Sequence, residues 1–427
     1  MASAWRSKRF AVLGLARSGA AVVRALAAAG AEVVAWDADP LRRDAIADSG
    51  AGLADPEAID LTGFEALVVS PGVPINRHPV AAKARAAGVP IIGDIELFAQ
   101  GRADLPPHKV VGITGTNGKS TTTALVHHIL QTAGIPSLMG GNIGLPILAQ
   151  PPLPAGGVYV LELSSYQIDL TQSLDCDVAV LLNITPDHLD RYDGFAAYAA
   201  AKGRLFAMQD RTRAAIISIG DDASAAIARS LSARGEALTK IAPGFCMNQS
   251  RWPALQGPHN AQNALAAIHV CEALGVPNAA IDAGLASFAG LDHRMQTVAV
   301  RGGVTFVNDS KATNPESAAP ALGSFARIHW IVGGQAKSDS LAPCAPHFGN
   351  VVRAYTIGEA GEGFADLLAA HMAVEVSGTL AAAVAQAAAN ARSGDTVLLS
   401  PACASFDQFA DFEARGRAFL AAVGALA

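Results

Sequence analysis

Short apolar runs closed by Gly, Pro or Asp alternate with longer amphipathic stretches along this chain. Phe10–Leu13, Glu32–Trp36 and Ala66–Val69 read as strands. The turn Gly14–Gly19 and a helix over Ala20–Ala29 separate the first two. Ser70-Pro71-Gly72 stops the third. Proline breaks a strand and glycine permits positive φ, so a tight loop follows its carboxyl end. Asp104-Leu105-Pro106-Pro107 reads as a linker, and a second alternation follows. Lys109–Ile113, Val158–Leu163 and Val178–Asn183 are expected strands. Ser120–Ala133 and Phe195–Met208 are expected helices, and Gln256–Leu274 a loop that becomes a helix. From His293 onward, Val304–Val307, His329–Val332, Ala354–Ile357 and Thr396–Leu399 repeat the pattern. Alternating β and α elements imply mostly parallel sheets. The expected fold class is α/β in three domains: 1–104, 105–292 and 293–427.

Length agrees: 427 residues at about 100–200 per domain make two to four domains. Charged residues are 16% and hydrophobic ones 51%, which excludes a disordered chain. The net charge of −6 argues against nucleic acid as a partner. The five cysteines are widely spaced without a C-x-x-C, so neither a disulfide framework nor a zinc site is indicated. Arg6, Lys8 and Arg9 precede an apolar run, but Arg17 soon interrupts it, which reads as a strand entering a helix rather than a signal peptide. No run of about 20 apolar residues suggests a membrane span.

Candidate chemistry concentrates at strand ends. Gly112-Ile-Thr-Gly-Thr-Asn-Gly-Lys-Ser-Thr121 lies between a strand and a helix. Glycines let backbone wrap around phosphate, and the helix N-terminus adds positive potential. Lys119 can neutralise phosphate charge, and Ser120 or Thr121 can bind Mg²⁺. The spacing departs from G-x-x-x-x-G-K-[ST], with Ile113 at its first glycine. Gly14-Leu-Ala-Arg-Ser-Gly19 is a degenerate dinucleotide turn in which Ala16 replaces the second glycine. It suits a nucleotide-linked substrate better than a redox cofactor, with Asp37 as an acceptor for ribose or base. Glu162 ends an apolar strand, where a carboxylate is costly unless paired or on a metal. His188 follows another strand. Lys202, read by itself, is a solvated helix lysine.

The set Gly115-Thr-Asn-Gly-Lys-Ser, Glu162-Leu-Ser-Ser-Tyr-Gln, Asn183-Ile-Thr-Pro-Asp-His-Leu-Asp, His259-Asn-Ala-Gln-Asn, His293-Arg and Asn308-Asp-Ser-Lys-Ala-Thr-Asn resembles the Mur ligases of peptidoglycan synthesis, in order and over nearly the whole chain. The tail Ser400-Pro-Ala-Cys-Ala-Ser-Phe-Asp-Gln-Phe409 is most similar to the branch that adds D-glutamate to UDP-N-acetylmuramoyl-L-alanine. The resemblance implies a Rossmann-like N-terminal domain for the UDP-sugar, a central P-loop ATPase-type domain, and a Rossmann-like C-terminal domain for the amino acid. It also implies an ATP-dependent amide ligase working through an acyl phosphate, with ATP and two Mg²⁺ ions; a monomer is expected, and a cytoplasmic location is expected from the missing targeting signal and the use of ATP.

By the same resemblance, Leu15, Ala16, Arg17, Asp37, Ser70, Gly72 and Asn142 meet the UDP-substrate. Gly115, Thr116, Asn117, Gly118, Lys119, Ser120 and Thr121 hold the ATP phosphates. Asn260, Asn263, Arg294 and Asp309 complete the ATP site, and Lys311 lies near the transferred phosphate. Ser120, Glu162, His188 and Lys202 bind metal, Lys202 as a carbamate formed with CO₂. Thr313, Lys337, Ser405 and Phe412 hold D-glutamate. Two departures stand out: Gln335 occupies a place where an acidic residue is expected, and the stretch from His188 to Lys202 is short. Another Mur enzyme or a folylpolyglutamate-synthase-like ligase is the neighbouring alternative. A P-loop transport or motor ATPase is the distant one.

Overall fold

The structure is a computed structural model and describes residues 3–187, 189–233, 235, 237–243, 247–336 and 340–426, with the side chain of Asp190 left aside. His188 and Lys337, both expected at the site, lie outside the described residues. Two compact units divide the chain: Met1–Cys246 with Gln262–Leu285, and Met247–Ala261 with Ala286–Ala427.

The first unit carries two parallel sheets. One contains β1 (Arg9–Leu13), β2 (Glu32–Trp36), β3 (Gly52–Leu53), β4 (Ala66–Val69) and β5 (Ile91–Ile92), in the order β3-β2-β1-β4-β5. The other contains β6 (His108–Thr114), β7 (Ser137–Gly141), β8 (Gly157–Glu162), β9 (Val178–Leu181), β10 (Ala214–Ser218) and β11 (Leu238–Ile241), in the order β11-β10-β9-β6-β8-β7. β4, β8 and β9 are buried along their whole length, as expected of parallel strands covered on both faces. One continuous cluster of buried side chains joins the two sheets, with Phe98 meeting Tyr159 edge-on at 5.1 Å.

The second unit is built on β12 (Gln296–Arg301), β13 (Val304–Asn308), β14 (Ile328–Gly333), β15 (Val351–Ile357), β16 (Ala373–Gly378) and β17 (Thr396–Leu399). Their order is β12-β13-β17-β14-β15-β16, and only β12 runs antiparallel to its neighbour.

Each sheet reverses its strand order at one place: around β1, around β6, and around β17. Loops leaving neighbouring strands diverge at such a point and open a crevice at the carboxyl ends. The candidate residues cluster there. Two expected boundaries move for a physical reason. The first helix begins at Arg17 rather than Ala20, because Gly19 can approach Gly14 closely; a Cβ on it would lie 1.8 Å from the Gly14 carbonyl oxygen. The strand expected to run to Asn183 ends at Leu181, because Asn183 turns aside to hold the phosphate loop.

Candidate functional site

At the end of β1 the chain turns on Gly14, whose φ of +87° is open to glycine at little cost. The Gly14 carbonyl accepts the Ser70 hydroxyl at 2.8 Å, and its N–H donates to the Trp36 carbonyl at 2.8 Å. Ala16 fits the place of the missing glycine: its backbone is extended and serves as the helix N-cap with no side-chain cap bond. An uncapped helix start is a natural anion site. Asp37 spends its oxygens on the turn. Oδ2 accepts the Leu15 N–H at 2.7 Å and Oδ1 the Asp39 N–H at 2.9 Å. Burial pushes its carboxyl up, but these N–H bonds and Arg42 outweigh it and leave the group below its usual range. Asp37 therefore shapes the cleft as well as lining it.

The cleft holds about 800 Å³. Ala16, Arg17, Asp37, Ser70, Gly72 and Asn142 all line it, the last arriving from the second sheet. Leu15 does not: its side chain is buried, and its backbone N–H serves Asp37.

The phosphate loop leaves β6. Gly115 (φ +153°) and Gly118 (φ +84°) supply the left-handed turns. Ile113 stands in the strand and is fully buried, so the first glycine of the usual pattern is not needed for this path. Asn183 clamps the loop: its Oδ1 accepts the Asn117 N–H at 2.8 Å, its Nδ2 donates to the Asn117 carbonyl at 3.1 Å, and its own carbonyl accepts the Thr116 N–H at 2.9 Å. The Thr116 hydroxyl lies 3.0 Å from the Tyr198 hydroxyl. Helix Lys119–Thr132 then begins without a side-chain cap, and Ser120 is buried in its first turn with Thr121 beside it. Asn263, on helix Pro258–Ala273, packs against Gly118 so closely that a Cβ there would lie 2.3 Å from its Oδ1.

Lys119 curls over the loop and donates to the carbonyls of Gly115 at 2.9 Å and Thr116 at 2.8 Å. Lys202 is not the solvated lysine its spacing suggests. It is 1% exposed, donates to the Gly115 carbonyl at 2.8 Å, and lies 4.7 Å above the Tyr198 ring. Burial, then the charge of Lys119, push its amine well below the ordinary lysine range. Glu162 ends β8, 2% exposed. Its Oε1 accepts the Asn142 amide at 2.9 Å, whereas its buried Oε2 has no hydrogen-bond partner among the described residues. An orphaned carboxylate oxygen beside a phosphate loop is a hard oxygen donor of the kind Mg²⁺ takes.

In the second unit, Asp309 follows β13. Its Oδ2 accepts the Ser400 hydroxyl at 2.8 Å and its Oδ1 the Met295 N–H at 3.2 Å, while burial pushes the carboxyl up to about 7. Arg294 lies between His293 (φ +62°) and Met295 (φ +49°), two left-handed residues that mark a constrained turn. The His293 carbonyl accepts the Lys311 N–H at 3.1 Å, and the Lys311 amine lies 3.7 Å above the Phe412 ring. Ser405 is buried, and Thr313 is half-buried ahead of helix Pro315–Leu322. Gln335 pairs in a short antiparallel bridge with Ala404, so the departing residue lies beside the Ser405 segment. Asn260 is buried one turn before Asn263 on the same helix.

Several residues without an expected role organise these centres. Asn183 and Tyr198 support the phosphate loop. Arg415 is 1% exposed and donates to the Ser310 hydroxyl and carbonyl and to the carbonyls of Cys403 and Ala404. Tyr198 carries a usable signal: it precedes Lys202 by four residues, one helical turn. Among the described residues no three His, Cys, Asp or Glu side chains form a metal cluster.

A glycine loop clamped at the switch point of a parallel sheet, with two lysines turned onto it, defines a phosphate-loop nucleotide-binding α/β protein. Residues 113–244 match the Mur ligase middle domain, and residues 293–403 the Mur ligase glutamate ligase domain. A relative from Novosphingobium aromaticivorans, named UDP-N-acetylmuramoylalanine--D-glutamate ligase, is 62% identical over 99% of this chain and 96% of its own. One of the same name from Sphingopyxis alaskensis is 61% identical over 99% and 98%. The chain belongs to the Mur ligase family. Among solved structures, the UDP-N-acetylmuramate-alanine ligase MurC of Thermotoga maritima shares the fold at a TM-score of 0.60 and 16% identity, covering 98% of this chain and 99% of that one. E. coli FolC shares it at 0.57 and 19%, covering 78% and 93%.

Proposed function

We propose that this chain is the ATP-dependent ligase that joins D-glutamate to UDP-N-acetylmuramoyl-L-alanine in peptidoglycan precursor synthesis. The observation that carries the chemistry is the pair of amines, Lys119 and Lys202, on one phosphate-loop carbonyl, with the buried Glu162 carboxylate, whose Oε2 has no partner among the described residues, at the end of the neighbouring strand. The choice of substrates follows the name borne by relatives that match this chain end to end. The reaction belongs in the cytoplasm, where ATP is available; among the described residues no helix is long and apolar enough to cross a membrane.

In this reading the cleft around Arg17, Ser70 and Asn142 takes the UDP-sugar, with diphosphate at the start of the first helix. The substrate carboxylate attacks the γ-phosphorus of ATP, and an acyl phosphate and ADP result. The amine of D-glutamate then attacks the acyl carbon, the amide forms, and phosphate leaves. Lys119 offsets phosphate charge, assisted by Lys311, while Asn260, Asn263, Arg294 and Asp309 are assigned to ATP. Thr313, Lys337, Ser405 and Phe412 are assigned to D-glutamate. Glu162 Oε2, the Ser120 hydroxyl and His188 would hold Mg²⁺, which when bound lowers the cost of gathering charge on the transferred phosphoryl group. The depressed Lys202 amine suits addition to CO₂ with loss of a proton, which turns a buried cation into an oxygen ligand. The domains are assigned as 1–104 for the UDP-substrate, 105–292 for ATP and metal, and 293–427 for the amino acid, in a monomer.

The test is phosphate release with ATP, Mg²⁺ and UDP-N-acetylmuramoyl-L-alanine, offering D-glutamate, L-glutamate, L-alanine and meso-diaminopimelate in turn. Release with D-glutamate alone supports the reading. Release with a different amino acid retains a ligase of another specificity, and release independent of amino acid points to a transport or motor ATPase.

A further inference from the structure

Arg191 connects the two centres of the first unit. It closes the short turn Leu189–Arg191 and reaches the loop after β4. Its Nη2 donates to the carbonyls of Val73 at 2.9 Å and Pro71 at 3.4 Å, and its Nη1 to that of Gly72 at 3.4 Å. Its own carbonyl accepts the Asn76 amide at 2.9 Å, so the attachment is reciprocal. These loop residues form one wall of the nucleotide-sugar cleft. The guanidinium also lies 4.3 Å above the Tyr166 ring. Tyr166 stacks on Tyr192 at 6.0 Å and 15°, and Tyr192 meets Tyr198 at 5.4 Å. The Tyr198 hydroxyl then bonds Thr116 in the phosphate loop.

A guanidinium is suited to this place. Three successive carbonyls converge on it, and its planar fork can serve all three while its face stacks on an aromatic ring. A lysine would offer one point charge and no flat face. The contacts form an unbroken chain of packed groups from the cleft wall to the phosphate loop, and such chains carry coupling between sites when both sites bias them.

We propose that Arg191 is a positioning residue for the UDP-sugar: it fixes the Pro71–Val73 wall and, through Tyr166, Tyr192 and Tyr198, couples occupancy of that cleft to occupancy of the phosphate loop. The inference rests on the proposed function for the choice of ligands. Wild-type ligation, assayed alongside, separates failure of that reading from failure of this one.

The experiment is equilibrium binding of UDP-N-acetylmuramoyl-L-alanine to wild type, Arg191→Ala, Arg191→Lys and Tyr166→Leu, with and without a non-hydrolysable ATP analogue. In wild type the analogue should change UDP-sugar affinity. Arg191→Ala should weaken UDP-sugar binding about tenfold or more, the scale of a lost charge-assisted contact, and abolish the analogue's effect. Its affinity for the analogue alone should stay within about threefold, within the context-dependent spread of a contact not made to that ligand. Arg191→Lys should be intermediate, and Tyr166→Leu should bind the sugar normally with reduced coupling. Absence of coupling in wild type, unchanged sugar affinity in Arg191→Ala, or equal loss of both ligands would overturn the proposal. Should Arg191→Ala not fold, the Lys and Tyr166→Leu variants decide: wild-type affinity and coupling in both contradict it.

Discussion

The amines of Lys119 and Lys202 donate to the same acceptor, the carbonyl oxygen of Gly115, at 2.9 and 2.8 Å. Two ammonium groups on one oxygen repel each other, and the buried one yields: Lys202 is the group whose proton is held weakly. Replacing Lys202 by Met removes that amine and keeps an apolar side chain of similar length. The variant should fold, and ligation should fall at least about a hundredfold, as expected for loss of a positioned catalytic group. Product assays with and without added short carboxylic acids check this. Recovery on adding acid supports an oxygen ligand at this position, whereas near-normal activity without acid contradicts it.

Gly118 has φ of +84° and faces Asn263. Gly118→Ala should therefore be strained twice, by the left-handed backbone and by a Cβ 2.3 Å from the Asn263 Oδ1. The expected cost is about 1–3 kcal/mol in stability. It should appear with a raised KM for ATP and little change in UDP-sugar affinity. Thermal melts and KM measurements on the two substrates check the split.

Asn183→Ala should strip the phosphate loop of its clamp. The Asn117 N–H and carbonyl both lose partners, at about 1–3 kcal/mol for a buried group left unpaired. Weaker binding of an ATP analogue by calorimetry, with the fold retained by circular dichroism, is the expected result.

Asp94, a residue with no assigned ligand contact, offers a pH-dependent test. Its carboxyl is 2% exposed, and burial raises it from 3.8 to about 6 although the Ile95 backbone, Gln167 and Ser18 pull the other way. Between those values the folded chain holds a proton that the unfolded chain has released, so this group's contribution to stability falls as pH rises through that window. Two units correspond to ~3 kcal/mol as an upper scale. Asp94→Asn should gain stability at neutral pH, up to that scale, and gain little near pH 3.8. Urea unfolding at both pH values checks it; the same difference at both would contradict the assignment of the penalty to ionisation.

The strands and the phosphate loop were legible because buried parallel strands leave short apolar runs, and glycines before a helix leave a fixed pattern. Ala66–Val69 and Thr396–Leu399 match their expected limits. The short edge strands Gly52–Leu53 and Ile91–Ile92 have too few residues to show a period. Lys202 by itself was misleading, since its burial comes from packing against Tyr198 and the Gly115 loop, neither of which local spacing encodes. Ala16, Arg17, Asp37, Ser70, Gly72 and Asn142 come together in one cleft, a grouping that depends on strand ends meeting in space. The resemblance supplied that meeting; composition and periodicity did not. Asn183, Arg191 and Arg415 had no readable role, because each acts on backbone carbonyls or amides far away in sequence.

The most direct measurement of the central claim uses UDP-N-acetylmuramoyl-L-alanine labelled with heavy oxygen in its carboxylate, incubated with ATP, Mg²⁺ and D-glutamate. Ligation through an acyl phosphate transfers one labelled oxygen to each phosphate released and leaves the other in the new amide. Mass spectrometry should find singly labelled phosphate in step with the D-glutamyl product. Unlabelled phosphate, formed with or without D-glutamate, would contradict the account.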